Sequence, residues 1–358
     1  MTPGAAAITA VASVLPPPRS QDELWQGFFA RHFRDVRWAE RVYRSAGVNQ
    51  RHPAVDPTID DVSSWTTAAR LQRYLTEAMP LAKGAAAGAL AIAGLDASDV
   101  GLLAVVSCTG YSTPGVDVGV ARDLGLRPNA ERLLIGHMGC HAALPALGLA
   151  ADYVISRGRP ALLLCVELPS LHIQPPSEDV SHVLEHALFS DAAAALVLEP
   201  ASGLGSVVID IEALTDVASA GQITWEITDM GFRMGLSRRV PDILAGQVGP
   251  TVDTLLGRHG LNRSDVAAWG VHPGGPRVLD AVGAALDLPK AALDVSRDVL
   301  AEYGNCSSAT VLIVLQELQL REHLREGQLV VLLAFGPGLT LYAVLLRSGS
   351  QPAATSVL

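Results

Sequence analysis

The sequence predicts an α/β protein made of two related halves, and three observations support this. After about residue 90, apolar runs alternate with turns and helical segments, a pattern typical of parallel sheets covered by helices. The pattern Gly-Leu-x-x-Ser-Asp-Val occurs at 94–100 and again at 260–266, an offset of 166 residues. Each copy precedes an apolar, strand-like run, at 102–106 and at 267–271.

The repeat also brings two cysteines into equivalent positions. Cys140 follows a glycine and opens a helix rich in Ala and Leu, and Cys306 does the same beside Asn305 at the same offset. Single short matches arise by chance, but several elements repeating at nearly one offset indicate a gene duplication. We therefore predict an N-terminal half at 1–204 and a C-terminal half at 205–358.

The composition indicates a globular protein with a large core. Of the 358 residues, 49% are apolar and 17% are charged, which excludes disordered and fibrous classes. The net charge of −10 excludes the basic surface that nucleic-acid binding requires. The four cysteines lack metal-type spacing, so no metal site is predicted, and they suit a reducing cytoplasm.

The first 90 or so residues are predicted to be mainly helical. Aromatic and Arg residues at 25–43 and an Ala-rich stretch at 66–90 show helical spacing. The apolar stretch at 5–15 lacks a preceding basic segment, and no apolar run reaches about 18 residues. We therefore predict neither a signal peptide nor a membrane span.

Three residues combine reactive chemistry with a position at a strand end or a helix start. Cys140 lies at a predicted helix N-terminus, where the helix dipole lowers a thiol pKa; alternatively, it is a small buried apolar residue. His272 follows a strand at the end where parallel sheets bind ligands, or it caps a turn. Asn305 is a favoured N-cap residue, and its amide is also a donor for an oxyanion. Together they predict a thiol nucleophile with an oxyanion hole.

Four motifs in order resemble those of type III polyketide synthases, the chalcone synthase superfamily within the thiolase fold. They are Gly-His-Met-Gly-Cys-His around Cys140, His-Pro-Gly-Gly-Pro from His272, Tyr-Gly-Asn before Ser-Ser-Ala-Thr around Asn305, and Phe-Gly-Pro-Gly-Leu at 335–339. The resemblance covers about residues 90–347. It implies a thiolase-like duplicated fold, with two pseudo-symmetric α/β halves in α-β-α-β-α layers, and a homodimer.

The resemblance also implies an activity and the roles of the three residues. Cys140 accepts an acyl starter from its CoA thioester, and His272 holds the thiolate as an ion pair. His272 and Asn305 then polarise malonyl-CoA, or a substituted malonyl-CoA, for decarboxylation, and the enolate extends the Cys140-bound chain. The extended chain cyclises to a small pyrone or phenol. No cofactor is implied besides the CoA thioester substrates.

Further residues are implied to line the substrate cavity. Phe189 and Met234 match two gatekeepers between the CoA tunnel and the cavity, and Trp225 falls where it reduces the cavity volume. Phe189 as an ordinary core aromatic and Cys108 as a buried structural cysteine remain alternatives. The complete predicted set is Phe189, Met234, Cys108, Thr109, Glu167, His172, Trp225, Ser307, Gly336, Pro337 and Gly338.

The same resemblance implies which residues bind CoA and which residue reaches the partner subunit. The predicted CoA-binding residues are Arg41, Arg44, Gly274, Gly275 and Arg277. The arginines at 41 and 44 share a helical face, which alternatively is only a solvated charged surface. Thr113 aligns with a residue that reaches into the cavity of the partner.

Two other function classes remain open at this level. One is a single-condensation β-ketoacyl synthase resembling ketoacyl-ACP synthase III, which releases an uncyclised product. The other is a non-catalytic scaffold that retains the fold. Because Cys140, His272 and Asn305 are all present, the sequence favours an enzyme.

Overall fold

The computed structural model of the chain describes residues 4–321 and 324–350. The strands are β1 (Ala6–Val14), β2 (Arg19–Ser20), β3 (Gln50–Arg51), β4 (Leu102–Ser107), β5 (Glu131–Gly136), β6 (Ala161–Glu167), β7 (Ala192–Pro200), β8 (Ser206–Thr215), β9 (Ile223–Thr228), β10 (Gly231–Leu236), β11 (Val266–Val271), β12 (Leu329–Gly336) and β13 (Thr340–Ser348). The helices are α1 (Gln21–Leu24), α2 (Ala30–His32), α3 (Ala39–Ser45), α4 (Thr67–Ala93), α5 (Val116–Leu124), α6 (Ala143–Arg157), α7 (Val180–Leu188), α8 (Val240–Gly257), α9 (Pro276–Ala285), α10 (Asp294–Tyr303) and α11 (Thr310–Arg321). None of these helices is long and apolar enough to span a bilayer.

One large sheet carries the duplication. Its order is β11-β12-β13-β8-β1-β7-β6-β4-β5. In the N-terminal half, β4 is parallel to β6, and β6-β7-β1 continues antiparallel. In the C-terminal half, β11 is parallel to β12, and β12-β13-β8 continues antiparallel. The predicted duplication of the fold is therefore confirmed by four strands in the same arrangement in each half, to which the N-terminal half adds β5, parallel to β4.

Three buried clusters define the layers. The central cluster packs α6 and α11 between the two halves of the sheet. A second cluster covers the outer face of the N-terminal half with α4 and α5, and a third covers the C-terminal half with α8 and α9. This is the predicted α-β-α-β-α arrangement. The halves meet at β1 and β8, which pair at only two positions, Ala7↔Val207 and Ile8↔Ser206.

The chain does not begin with the predicted helical segment. Residues Ala6–Val14 form β1 in the middle of the sheet, and the first helix begins only at Gln21. Small and β-branched side chains fill this strand, and both faces contact the helix layers, so the period-2 pattern of a half-exposed strand is absent. Further on, the helix predicted at 66–90 is confirmed as α4.

The predicted boundary between the halves falls in the connection that joins β7 to β8. The strand-like runs at 102–106 and 267–271 correspond to β4 and β11, within one residue at each end. The outermost residues of the predicted halves, 1–3 and 351–358, lie outside the described residues. The division at 204 remains a prediction.

Candidate active site

Cys140 lies in a short 3₁₀ turn, Gly139–His141, that leads into α6. Gly139 has a φ of +78°, and a Cβ at this position would lie 2.5 Å from Cδ of Pro337. Only glycine accepts both the backbone angle and this approach. Gly336 also fits tightly, because a Cβ there would lie 2.6 Å from Nδ1 of His141 and 3.2 Å from the backbone nitrogen of Cys140. The predicted loop of Gly336 and Pro337 therefore packs directly on the nucleophile turn.

The thiol of Cys140 is buried beside a hydroxyl from the other half. Its Sγ lies 3.7 Å from Oγ of Ser307, and the residue is 7% exposed. Burial raises the pKa of Cys140 to about 12. The contact with Ser307 lowers this pKa, but by less than burial raises it. Burial therefore favours the neutral form of the thiol.

His272 lies at the carboxyl end of β11 with its ring enclosed. Its backbone N–H donates to the carbonyl oxygen of Leu333 at 2.8 Å, and its ring centroid lies 6.0 Å from that of Phe335. Within the described residues, neither ring nitrogen has a hydrogen-bond partner. Burial, with a smaller effect from His141, lowers the pKa of His272 to about 3. The resting imidazole is therefore neutral and free to exchange a proton.

The backbone and side chain of Asn305 are both fixed. Its N–H donates to the carbonyl oxygen of Leu188 at 2.8 Å, and its own carbonyl accepts from the N–H of Ser190 at 2.9 Å. The side-chain oxygen Oδ1 accepts from the N–H of Ser307 at 2.9 Å and from the hydroxyl of Thr310 at 3.4 Å. Because the oxygen is engaged, the amide NH₂ is the group available to a substrate.

The structure brings the three predicted catalytic residues together from the two halves. Ser307 contacts both the thiol of Cys140 and the side chain of Asn305. His141, which follows Cys140, is close enough to lower the pKa of His272. The arrangement thus joins a thiol, a neutral imidazole and an oriented amide donor, a set suited to acyl transfer with oxyanion stabilisation.

A cavity with an empty volume of about 310 Å³ adjoins the thiol. It is lined by Cys108, Thr109, Gly139, Cys140, Pro169, Phe189, Trp225, Met234, Ser307 and Pro337. Most of the predicted cavity residues are in this set. Glu167, His172, Gly336 and Gly338 are not.

Glu167 lies behind the cavity wall as a buried hydrogen-bond centre. Its carboxylate accepts from the N–H of Cys108 at 3.0 Å, from the Thr109 hydroxyl at 2.7 Å and from the Ser308 hydroxyl at 2.5 Å. Burial raises its pKa, although these donors act in the opposite direction. In turn, Sγ of Cys108 lies 3.3 Å from Oγ of Ser307. Glu167 therefore supports the residues that face the substrate.

His172 also lies behind the wall. Its Nε2 hydrogen-bonds the carbonyl oxygen of Thr109 at 2.7 Å, and its Nδ1 accepts the N–H of Phe232 at 3.0 Å. These two bonds define one neutral tautomer, with the proton on Nε2. Burial lowers the pKa of His172 to about 4, which keeps the ring neutral.

A second cavity, here called the mouth, has an empty volume of about 760 Å³ and is lined by residues of α7, α8 and α9. The predicted residues Gly274, Gly275 and Arg277 line it, together with Leu188, the neighbour of Phe189. Arg238 also lines this cavity and was not among the predicted CoA-binding residues. The available signal was its position, four residues after the gatekeeper candidate Met234.

The other predicted CoA and partner residues lie elsewhere. Arg44 forms an ion pair with Glu40 at 2.7 Å and lines a separate surface groove. Arg41 is exposed on α3, whose last residue, Ser45, reaches the mouth. Thr113 is exposed and hydrogen-bonds the hydroxyl of Tyr111 at 3.3 Å, outside the cavity of its own chain.

Comparison with known proteins identifies the class that this fold and site define. The N-terminal domain of the chalcone and stilbene synthases matches residues 46–201, and the C-terminal domain of the same family matches residues 213–350. The chain belongs to the chalcone and stilbene synthase family and is a type III polyketide synthase, an acyltransferase.

Individual relatives agree over nearly the whole chain. A 1,3,6,8-tetrahydroxynaphthalene synthase of Streptomyces peucetius subsp. caesius is 36% identical, covering 95% of this chain and 92% of the relative. The alpha-pyrone synthesis polyketide synthase-like Pks18 of Mycobacterium tuberculosis is 34% identical, covering 85% and 81%.

Solved structures of two such enzymes superpose closely. The 1,3,6,8-tetrahydroxynaphthalene synthase of Streptomyces coelicolor A3(2) has a TM-score of 0.91 at 29% identity, covering 96% of this chain and 99% of that chain. PKS-I of Ectocarpus siliculosus has a TM-score of 0.90 at 30% identity, covering 97% and 99%. These relatives favour the polyketide interpretation over the single-condensation alternative.

Proposed function

We propose that the chain extends an acyl-CoA starter with malonyl-CoA units on Cys140 and cyclises the product in the cavity beside it. One observation carries this proposal. Ser307 contacts the Cys140 thiol and, through its N–H, orients the Asn305 amide so that its NH₂ group is the available donor. A nucleophile and an oxyanion donor are thereby coupled through a single residue.

Starter loading needs a base, because the thiol is neutral. His272, also neutral at rest, accepts the Cys140 proton as the sulfur attacks the thioester carbonyl of the starter. A C–S bond forms to Cys140, the C–S bond to CoA breaks, and the proton passes to the departing CoA sulfur. Because burial disfavours each of the two charges, we propose this route as an alternative to the resting ion pair that the resemblance implies.

Extension follows by decarboxylation of malonyl-CoA. The bond between its carboxylate and its central carbon breaks, CO₂ leaves, and the electron pair remains on the enolate. The NH₂ of Asn305 and the N–H of His272 stabilise the enolate oxygen. The enolate carbon attacks the acyl carbonyl on Cys140 and displaces the sulfur, which takes up a proton from solvent and becomes a thiol again. The chain thus returns to CoA two carbons longer.

The surroundings suit short products and CoA delivery through the second cavity. Trp225 and Met234 lie in the cavity wall, where their bulk limits the length of the chain that fits. Arg238 and Arg277 are exposed at the mouth, where guanidinium groups bind phosphates well. They are our CoA-binding candidates, with Gly274 and Gly275 beside them.

A homodimer is part of the proposal. Strand β5 ends the sheet and has a free edge, and Leu134 on it is 47% exposed. Tyr111, near Thr113, is 60% exposed. A long exposed edge with apolar side chains favours pairing with a second copy, in which Thr113 approaches the partner cavity.

The direct test is capture of the acyl-enzyme. Purified protein is incubated with hexanoyl-CoA without malonyl-CoA, and intact-mass and peptide mass spectrometry locate the acyl group. We expect one acyl group on Cys140 and none in Cys140→Ser. The matched control, Cys165→Ser in the buried strand β6, retains acylation. Acylation at another residue, or none with acetyl-, hexanoyl-, benzoyl- or malonyl-CoA, would contradict the proposal.

A further inference from the structure

The β9–β10 hairpin lies outside the large sheet although it carries two cavity residues. It forms a separate two-stranded sheet in which Trp225 and Met234 are direct cross-strand partners. Both line the cavity beside Cys140. Because the large sheet does not hold the hairpin, its distance from the thiol depends on other contacts.

His172 supplies one of these contacts. It joins the carbonyl of Thr109 on the cavity wall to the N–H of Phe232 on β10, at 2.7 and 3.0 Å. The imidazole also stacks on the Phe232 ring, with centroids 4.5 Å apart and an interplanar angle of 6°. One buried ring therefore fixes the separation between the cavity wall and the hairpin.

Gln174 supplies a second contact from the same segment. Its side-chain nitrogen Nε2 lies 3.0 Å from the carbonyl oxygen of Phe232, 3.2 Å from that of Met230 and 3.0 Å from that of His172. The residue is 4% exposed. Removing this amide leaves buried carbonyl groups without a donor, so the hairpin loses its preferred position.

Arg70 fixes the backbone of the segment that carries His172 and Gln174. Its guanidinium donates to the carbonyl oxygens of Leu171 and Ile173, the latter at 3.0 Å. Gly231, at the start of β10, has a φ of +95°, and a Cβ there would lie 2.7 Å from Cδ of Arg70 and 3.0 Å from Nδ1 of His172. The hairpin thus fits against a segment that is itself fixed.

We propose that His172 and Gln174 are specificity-determining positioning residues that set the depth of the acyl cavity. They do so by holding the hairpin that carries Trp225, and neither lines the cavity. This inference rests on the proposed function of that cavity. Its consequence is that substitutions outside the cavity change the number of extensions.

The test uses volume-conserving variants. Gln174→Met removes the donor, and His172→Phe keeps the stacking but removes both hydrogen bonds. Each is supplied with hexanoyl-CoA and malonyl-CoA, and products are quantified by mass spectrometry. We expect the ratio of longer to shorter products to rise about tenfold, because Trp225 can withdraw from the cavity. Gln316→Met, the same exchange on α11, is the control and leaves the ratio unchanged.

A second readout does not depend on activity. Trp225 is labelled as 5-fluorotryptophan, and its ¹⁹F resonance is assigned by its loss in Trp225→Phe. We expect this resonance to shift or broaden in Gln174→Met and His172→Phe and to stay in place in Gln316→Met. An unmoved resonance, or an unchanged product ratio in folded variants, overturns the inference. A wild-type protein that forms no polyketide refutes the proposed function instead, and the resonance then decides this inference alone.

Discussion

The indole N–H of Trp225 donates a hydrogen bond to the carbonyl oxygen of Cys108 at 2.8 Å. This bond connects a hairpin of the C-terminal half to the residue that follows β4 in the N-terminal half. Both residues line the cavity beside Cys140. The large ring therefore fills the cavity in one defined orientation rather than as a mobile side chain.

The first prediction concerns this ring. Trp225→Gly removes the ring that narrows the cavity, so we expect products with at least one more two-carbon unit. Trp225→Phe is the matched control, because it keeps most of the bulk and loses only the hydrogen bond. Mass spectrometry of the products checks the prediction, and identical chain lengths in Trp225→Gly and wild type would contradict it.

A second prediction concerns the charge state of the nucleophile. Burial raises the pKa of Cys140 to about 12, so the thiolate fraction increases steadily with pH below that value. The rate of alkylation by iodoacetamide, followed by mass spectrometry at Cys140, should rise about tenfold per pH unit from pH 7 to 10. A plateau at or below pH 8 would instead reveal a resting thiolate paired with His272.

The third prediction isolates the Asn305 donor. Asn305→Asp keeps an oxygen that accepts from Ser307 but replaces the NH₂ group by a second acceptor. We expect CO₂ release from malonyl-CoA to fall about 100- to 1000-fold, the usual effect of losing one oxyanion donor. Asn262→Asp, at an exposed capping position, serves as the control. A rate within a few-fold of wild type would show that Asn305 is only a structural cap.

The fourth prediction separates two groups of arginines. Arg238→Ala and Arg277→Ala should each raise KM for malonyl-CoA about tenfold, since a charge-assisted phosphate contact is lost. Arg44→Ala should leave KM unchanged, because this side chain pairs with Glu40 at a separate groove. Steady-state kinetics at two salt concentrations test this, and a larger effect for Arg44 would reverse the assignment.

The fifth prediction links a buried histidine to acid stability. His141 is 2% exposed and stacks on Tyr342, and burial lowers its pKa to about 4. The unfolded chain, with a histidine pKa of about 6.5, therefore binds more protons than the folded chain between pH 4 and 6.5. The His141 contribution is complete above pH 6.5 and decreases as the pH falls through this window.

The variant His141→Phe removes that dependence, together with the smaller effect that His141 has on the pKa of His272. Relative to wild type, it should gain up to about 1.4 kcal/mol of unfolding free energy per pH unit on lowering the pH from 6.5 to 4. Urea denaturation at several pH values measures the difference. A difference that is constant with pH would contradict the lowered pKa.

The sequence predicted the core of the candidate site because local patterns mark it. Cys140, His272 and Asn305 each stand at a predicted helix start or strand end, and the repeat aligns Cys140 with Cys306, the neighbour of Asn305. The pairing of Arg44 with Glu40 was not predicted, although the two residues are four positions apart on one helix. The consequence of this ion pair is that Arg44 lies away from the mouth, and this depends on the orientation of α3, which the sequence does not show.

Other features had no local signal. Gln174 hydrogen-bonds Phe232, which is 58 residues away in the sequence. It binds a backbone carbonyl oxygen, a group that every residue carries, so no side-chain pattern marks the contact. The strand Ala6–Val14 lacks alternation because both of its faces are covered. His172 was predicted as a cavity residue from the family resemblance alone. Its two hydrogen bonds, to Thr109 and Phe232, instead hold the ring behind the cavity wall.

The measurement that tests the central claim most directly is product analysis of the purified enzyme. Malonyl-CoA is supplied alone and with short, medium, long and aromatic acyl-CoA starters, and products are identified by mass spectrometry. We predict cyclic pyrones or phenols that are absent with Cys140→Ala. A single linear β-ketoacyl product, or bare decarboxylation of malonyl-CoA with every starter, would contradict polyketide formation on Cys140.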